Sequence, residues 1–180
     1  MGLTVFDIEN EFENIWVNRI RKELNDENLL LYREADLQAS LYYWLRKFFE
    51  NRDKRFWIRN EDRWDGSRKK GGSSGRIDLV IYKNSVPFIP IELKYHNSRL
   101  IRGHLKNDID KLRSLKKQNY EDDEENKIPK PKRAFICWLV AREVNCKAER
   151  KCISTRWMDG YLREFFGIGN DKKNWGVFKY

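Results

Sequence analysis

The stretch GRIDLVIYKNSVPFIPIELKY, residues 75–95, decides how the rest of the chain is read. RIDLVIY (76–82) and FIPIELKY (88–95) are rich in β-branched and aromatic residues, the composition of strands. KNSVP between them is turn-like, so the two strands form a hairpin. Three charged residues interrupt its apolar character: Asp78, Glu92 and Lys94. Side chains alternate along a strand, so Glu92 and Lys94 share one face, and Ile91, Leu93 and Tyr95 the other. A hairpin symmetric about Ser85 sets Asp78 directly opposite Glu92. Opposed residues have Cβ atoms roughly 4.5–5.5 Å apart and point to the same side. Two carboxylates and one ammonium therefore converge.

Adjacent carboxylates repel unless a positive group lies between them. A hard divalent cation does this, and Mg²⁺ takes one or two carboxylates together with waters and phosphate oxygens. Such a cation polarises a phosphate and acidifies a bound water, and a neighbouring lysine stabilises the charge that develops. The pattern suits phosphodiester hydrolysis. A surface salt bridge on an exposed sheet is the simpler alternative, and the bare spacing is common in a chain this charged. The context favours the first: apolar strands, the preceding loop DGSRKKGGSSG (65–75) and the amphipathic helix that follows.

GRIDLVIY and PIELKY, with KNDIDKL on the next helix, resemble the PD-(D/E)XK (restriction-endonuclease-like) nuclease superfamily, over about residues 31–141. The resemblance implies that Asp78 and Glu92 bind Mg²⁺ (Mn²⁺ substituting), with the backbone carbonyl of Leu93 as a further ligand, and that Lys94 assists catalysis. Ile77 stands where the first motif usually has proline. Many members carry one more acid on a helix before the sheet. In YREADLQASLYYWL, Glu34 shares a helix face with Leu37, Gln38, Leu41 and Leu45, whereas Asp36 points away. Glu34 is thus the candidate auxiliary metal-binding or lysine-orienting acid. Its alternative role is that of an acid favoured by the helix macrodipole.

The implied fold is α/β: a mixed sheet with an αβββαβ core flanked by helices, in one domain spanning residues 1–180. Working outward, residues 3–24 have helical period, as do Glu34–Glu50 and 99–117. Phe56 opens a further strand. AFICWLVA (134–141) is a continuous apolar run, as in strands buried on both faces. Trp157, Met158, Tyr161, Leu162, Phe165 and Phe166 predict a C-terminal helix ended by Gly167, and NWGVFKY a last edge strand.

The net charge of +9, from 37 basic and 28 acidic residues, fits a polyanionic partner, here DNA. Residues 46–76 hold eleven Lys/Arg against five Asp/Glu. Arg68, Lys69, Lys70 and Arg76 are the candidate backbone contacts. Lys111 could reach a phosphate, although a solvated helix face is its simpler role. His96 and His104 read as phosphate contacts or plain surface, Tyr95 and Cys137 as core, and Trp64 as core before a base-stacking platform. Three cysteines without zinc spacing fit a reduced, cytoplasmic setting. No apolar run approaches a membrane span. A homodimer would offer two centres to a duplex.

The expected function is a Mg²⁺-dependent DNA nuclease. Restriction and structure-specific (Holliday-junction-type) cleavage both remain open. The rival is a non-catalytic nucleic-acid-binding module on the same fold, against which the intact Asp78/Glu92/Lys94 set argues. An interaction domain unrelated to nucleic acid is the remaining alternative.

Overall fold

A computed structural model describes residues 2–24, 31, 33–62, 64, 76–96, 102–117, 120–121, 127–141, 160–169 and 175–179. The chain begins with helix α1 (Val5–Asn14), a π-helical segment (Ile15–Ile20) and a short α2 (Arg21–Glu23). Thr4 caps α1: its hydroxyl accepts from the Asp7 N–H, and the Asp7 carboxylate accepts from the Thr4 N–H. Helix α3 (Glu34–Arg52) leads into β1 (Phe56–Asp62), β2 (Ile77–Lys83) and β3 (Val86–His96). Helix α4 (Arg102–Lys117) follows, then a two-residue ladder of β4 (Tyr120–Glu121) with β5 (Lys127–Ile128). Strands β6 (Ala134–Val140), β7 (Leu162–Ile168) and β8 (Trp175–Lys179) complete the described chain.

Six strands form one mixed sheet in the order β1-β2-β3-β6-β7-β8. The first three are antiparallel, β3–β6 and β6–β7 are parallel, and β8 closes antiparallel on β7. The parallel step from β3 to β6 needs a long crossover, and α4 lies within it. Each face is covered. On one, Ile8, Phe12, Trp16, Leu37, Leu41 and Phe49 pack on Leu79, Ile91, Leu93, Phe135 and Phe165. On the other, Leu105, Ile109, Leu112 and Leu115 pack on Val80, Ile136, Trp138 and Phe166. No helix among the described residues is long and apolar enough to cross a membrane.

The hairpin departs from simple symmetry in two ways that cancel. Asn84 and Ser85 have φ of 50° and 65°, as a two-residue turn with both central residues left-handed requires. Lys83 therefore pairs with Val86 and Tyr82 with Pro87, half a residue away from symmetry about Ser85. A bulge then leaves Phe88 without a partner. Beyond it Ile81 faces Ile89 and Leu79 faces Ile91, which is the predicted register. Pro87 and Pro90 lie where β3 has no pairing with β6, which begins at Ile91, so their missing N–H groups interrupt no bond on that side.

The predicted C-terminal helix is a correction: Leu162–Ile168 is strand β7, while Trp157 and Met158 lie outside the described residues. Leu162, Phe165, Phe166 and Ile168 are buried on both faces of the sheet. A strand covered on both sides loses its alternation, and apolar residues at 161, 162, 165 and 166 then mimic a helical stripe. Gly167 is not a helix stop. It faces Trp175 across the ladder, where a Cβ would meet the indole at 2.8–2.9 Å. Gly167→Ala should therefore destabilise the protein by about 1–3 kcal/mol, read from the urea midpoint. An unchanged midpoint would show that Trp175 yields freely.

Candidate active site

The site lies on the α4 side of the sheet, where β2 and β3 leave the bulged end of the hairpin. One step beyond the Leu79–Ile91 pair, the same register sets Asp78 opposite Glu92. Asp78 Oδ2 accepts from the Leu93 N–H at 2.7 Å, so its side chain bridges the two strands. Its own carbonyl accepts from Gln38 Nε2 at 2.6 Å, which ties β2 to α3. Gln38 belongs to the same helical stripe as Glu34, one turn further on.

Glu92 is 1% exposed, and the Lys111 ammonium lies 2.6 Å from its Oε1. Burial, reinforced by the Asp78 charge, pushes the Glu92 carboxyl up to about 9 despite Lys111. Burial also raises Asp78, against the pull of the Leu93 N–H and Lys94. Lys94 points to different partners: its Nζ is 3.2 Å from Asp108 Oδ2 and 3.5 Å from Glu34 Oε2. Burial disfavours the Lys94 ammonium, but Asp108 and Glu34 outweigh it and hold the pKa above its usual value. Burial raises Asp108 too, with Lys94 opposing. Glu34 additionally faces the Tyr95 N–H, at 3.4 Å.

The structure thus brings together Glu34, Asp78, Glu92, Lys94 and Lys111, and adds Asp108. Four carboxylates face two ammonium groups, a deficit of two positive charges if all are ionised. Raised acid pKa values are one response to that imbalance, and a divalent cation would be another. Among the described residues no three His, Cys, Asp or Glu side chains are placed to hold a metal ion together. The available hard donors are Asp78, Glu92 and the Leu93 carbonyl, with water or phosphate to complete a shell, and this set suits Mg²⁺.

The expectations for Lys111 and His96 change, and those that placed Trp64, Tyr95 and Cys137 in the core hold. Lys111 is not on a solvated face; it is a quarter exposed and paired with Glu92. His96 is not surface but buried in the sheet. Trp64 is 1% exposed and belongs to the core, not to a stacking platform. Tyr95 packs partly buried against the core and its hydroxyl donates to the Leu31 carbonyl. Cys137 is fully buried. Arg76 is exposed, 3.3 Å from Glu61, and its carbonyl accepts from Lys111. Arg68, Lys69 and Lys70, and the side chain of His104, lie outside the described residues.

Sequence reasoning assigned no role to Asp108, and its signal was present. Asp108 is three residues after Leu105 and four before Leu112, a charged position inside the apolar stripe of α4. An acid there must find a partner on the sheet, and Lys94 is that partner. Comparison with protein-family models, curated proteins and solved structures found no match for this chain.

Proposed function

We propose that this chain is a Mg²⁺-dependent nuclease acting on DNA, built on a restriction-endonuclease-like sheet. The observation that carries the reading is the pairing of half-buried Asp78 with buried Glu92 beside a lysine clamped by two other acids. Asp78, Glu92 and the Leu93 carbonyl would hold the cation. When bound, Mg²⁺ supplies charge neutralisation of the scissile phosphate and a more acidic water. Lys94 is the donor aimed at the reacting phosphate or its attacking water, and Asp108 and Glu34 fix its direction and keep it charged. Gln38 holds the Asp78 backbone in place. The surplus of nine positive charges attracts a polyanion.

Labelled duplex, single-stranded, flap and four-way-junction DNA, incubated with Mg²⁺ or Mn²⁺ beside EDTA, tests the activity and separates restriction from structure-specific cleavage. The Lys111–Glu92 ion pair favours a second reading, in which the charges are a structural network on a non-catalytic DNA-binding module. Binding without cutting in either metal would select it.

Asp108→Asn keeps the shape but removes the charge nearest Lys94. Cleavage should fall about 10–100-fold, as when a group supporting a reactive residue is lost. A rate within twofold of wild type would leave Asp108 with no part in positioning Lys94.

A further inference from the structure

The two lysines of the site do different things. Lys94 is held by Asp108 and Glu34, whereas Lys111 reaches down from α4 to Oε1 of Glu92. The Lys111 ammonium also donates to the Arg76 carbonyl, just before β2. Glu92 is almost wholly buried and lies in register with Asp78, and Lys111 is the positive group in contact with it. This is the electrostatic position that a divalent cation would take. An ammonium and a divalent cation repel, and they compete for the same carboxylate oxygen. Lys111 can leave: its side chain is 25% exposed, on a flexible four-carbon stem.

We propose that Lys111 is the resident counter-ion of the metal-free centre and is displaced from Glu92 when a divalent cation binds. The inference rests on the metal-dependent reading of the site. Binding and release are then one exchange. The ammonium is paired with Glu92 before a cation binds, and it is set free at the mouth of the site only when the centre is loaded. Its free state is therefore conditional on metal, which no ordinary surface lysine shows.

Metal affinity alone does not decide the matter, because any nearby lysine would repel a cation. The accessibility of the amine does. The full chain is titrated with Mn²⁺ without DNA, with binding followed by the loss of the free-ion paramagnetic resonance signal. At each point a brief pulse of an amine-acylating ester is applied and peptides are quantified by mass spectrometry. Lys111 acylation should rise about fourfold or more, the ratio between a quarter-exposed and a free side chain, with the midpoint of Mn²⁺ binding. Lys106 and Lys117, exposed on the same helix, serve as controls and should not change. Asp78→Asn should move both midpoints together to higher Mn²⁺. Mn²⁺ binding with constant Lys111 acylation would overturn the exchange and leave the nuclease reading intact. Failure to bind Mn²⁺ would overturn both.

Discussion

Asp78→Ala and Lys94→Ala are each expected to lower Mg²⁺-dependent DNA cleavage by about 10²–10³-fold or more, the range for loss of a group that stabilises transition-state charge. The two act differently. On the proposed function Asp78 would supply an oxygen to the cation, and it also accepts the Leu93 N–H, so its loss frees β3 beside Glu92. Lys94 supplies the ammonium, and its loss leaves Asp108 and Glu34 facing each other across an empty place. Asp78→Asn and Lys94→Met control for shape, and circular dichroism with urea unfolding checks the fold. DNA binding should persist in all four variants, because most of the basic surface is untouched. A Lys94→Ala protein cutting at more than a tenth of the wild-type rate would remove Lys94 from the chemistry.

Raising the pH from 5 to 9 should destabilise the protein, and Glu164→Gln should remove part of that slope. Glu164 is fully buried on β7, on the α4 side, and accepts from the Trp138 indole N–H. Burial pushes its carboxyl from the usual 4.5 up to about 8, against the pull of that bond. The folded state therefore keeps a proton that the unfolded state gives up. Stability contributed by Glu164 is complete below about pH 4.5 and decreases steadily as pH rises to about 8, where the loss levels off. The span amounts to several kcal/mol, on the order of 1.4 kcal/mol per pH unit. Glutamine keeps an acceptor for Trp138 and cannot ionise. Urea unfolding of wild type and variant at five pH values gives the difference directly. Equal slopes would mean that Glu164 is charged in the folded protein.

Much of the site was legible because strand geometry is simple. Period-two alternation placed Glu92 and Lys94 together, and turn residues set the fold of the hairpin. The Asp78–Glu92 register was legible for a partly accidental reason: the turn is centred half a residue early, and the Phe88 bulge restores the count. The face of α3 that carries Glu34 and Gln38 was readable from its apolar stripe, and both residues do meet β2 or β3. The pairing of Lys111 with Glu92 was not readable. It depends on how far α4 stands from the sheet, which no local pattern encodes. Strand β7 was misread for a related reason: a strand sandwiched between two apolar layers carries no periodic signal of its own. Its length and its parallel pairing with β6 are consequences of the whole sheet.

The Phe88 bulge buffers the site against a change in loop length. Surface hairpins ordinarily tolerate insertions and deletions. Here seven residues lie between Ile81 and Ile89, one more than a two-residue turn with regular pairing uses, and Phe88 is the one set aside. Removing one of them would leave six, which close a regular hairpin with Ile81 still opposite Ile89 and the step to Asp78 and Glu92 unchanged. Glu92 would stay on the α4 side. The spare residue is anchored instead by packing, edge-on to Phe56 at 5.6 Å.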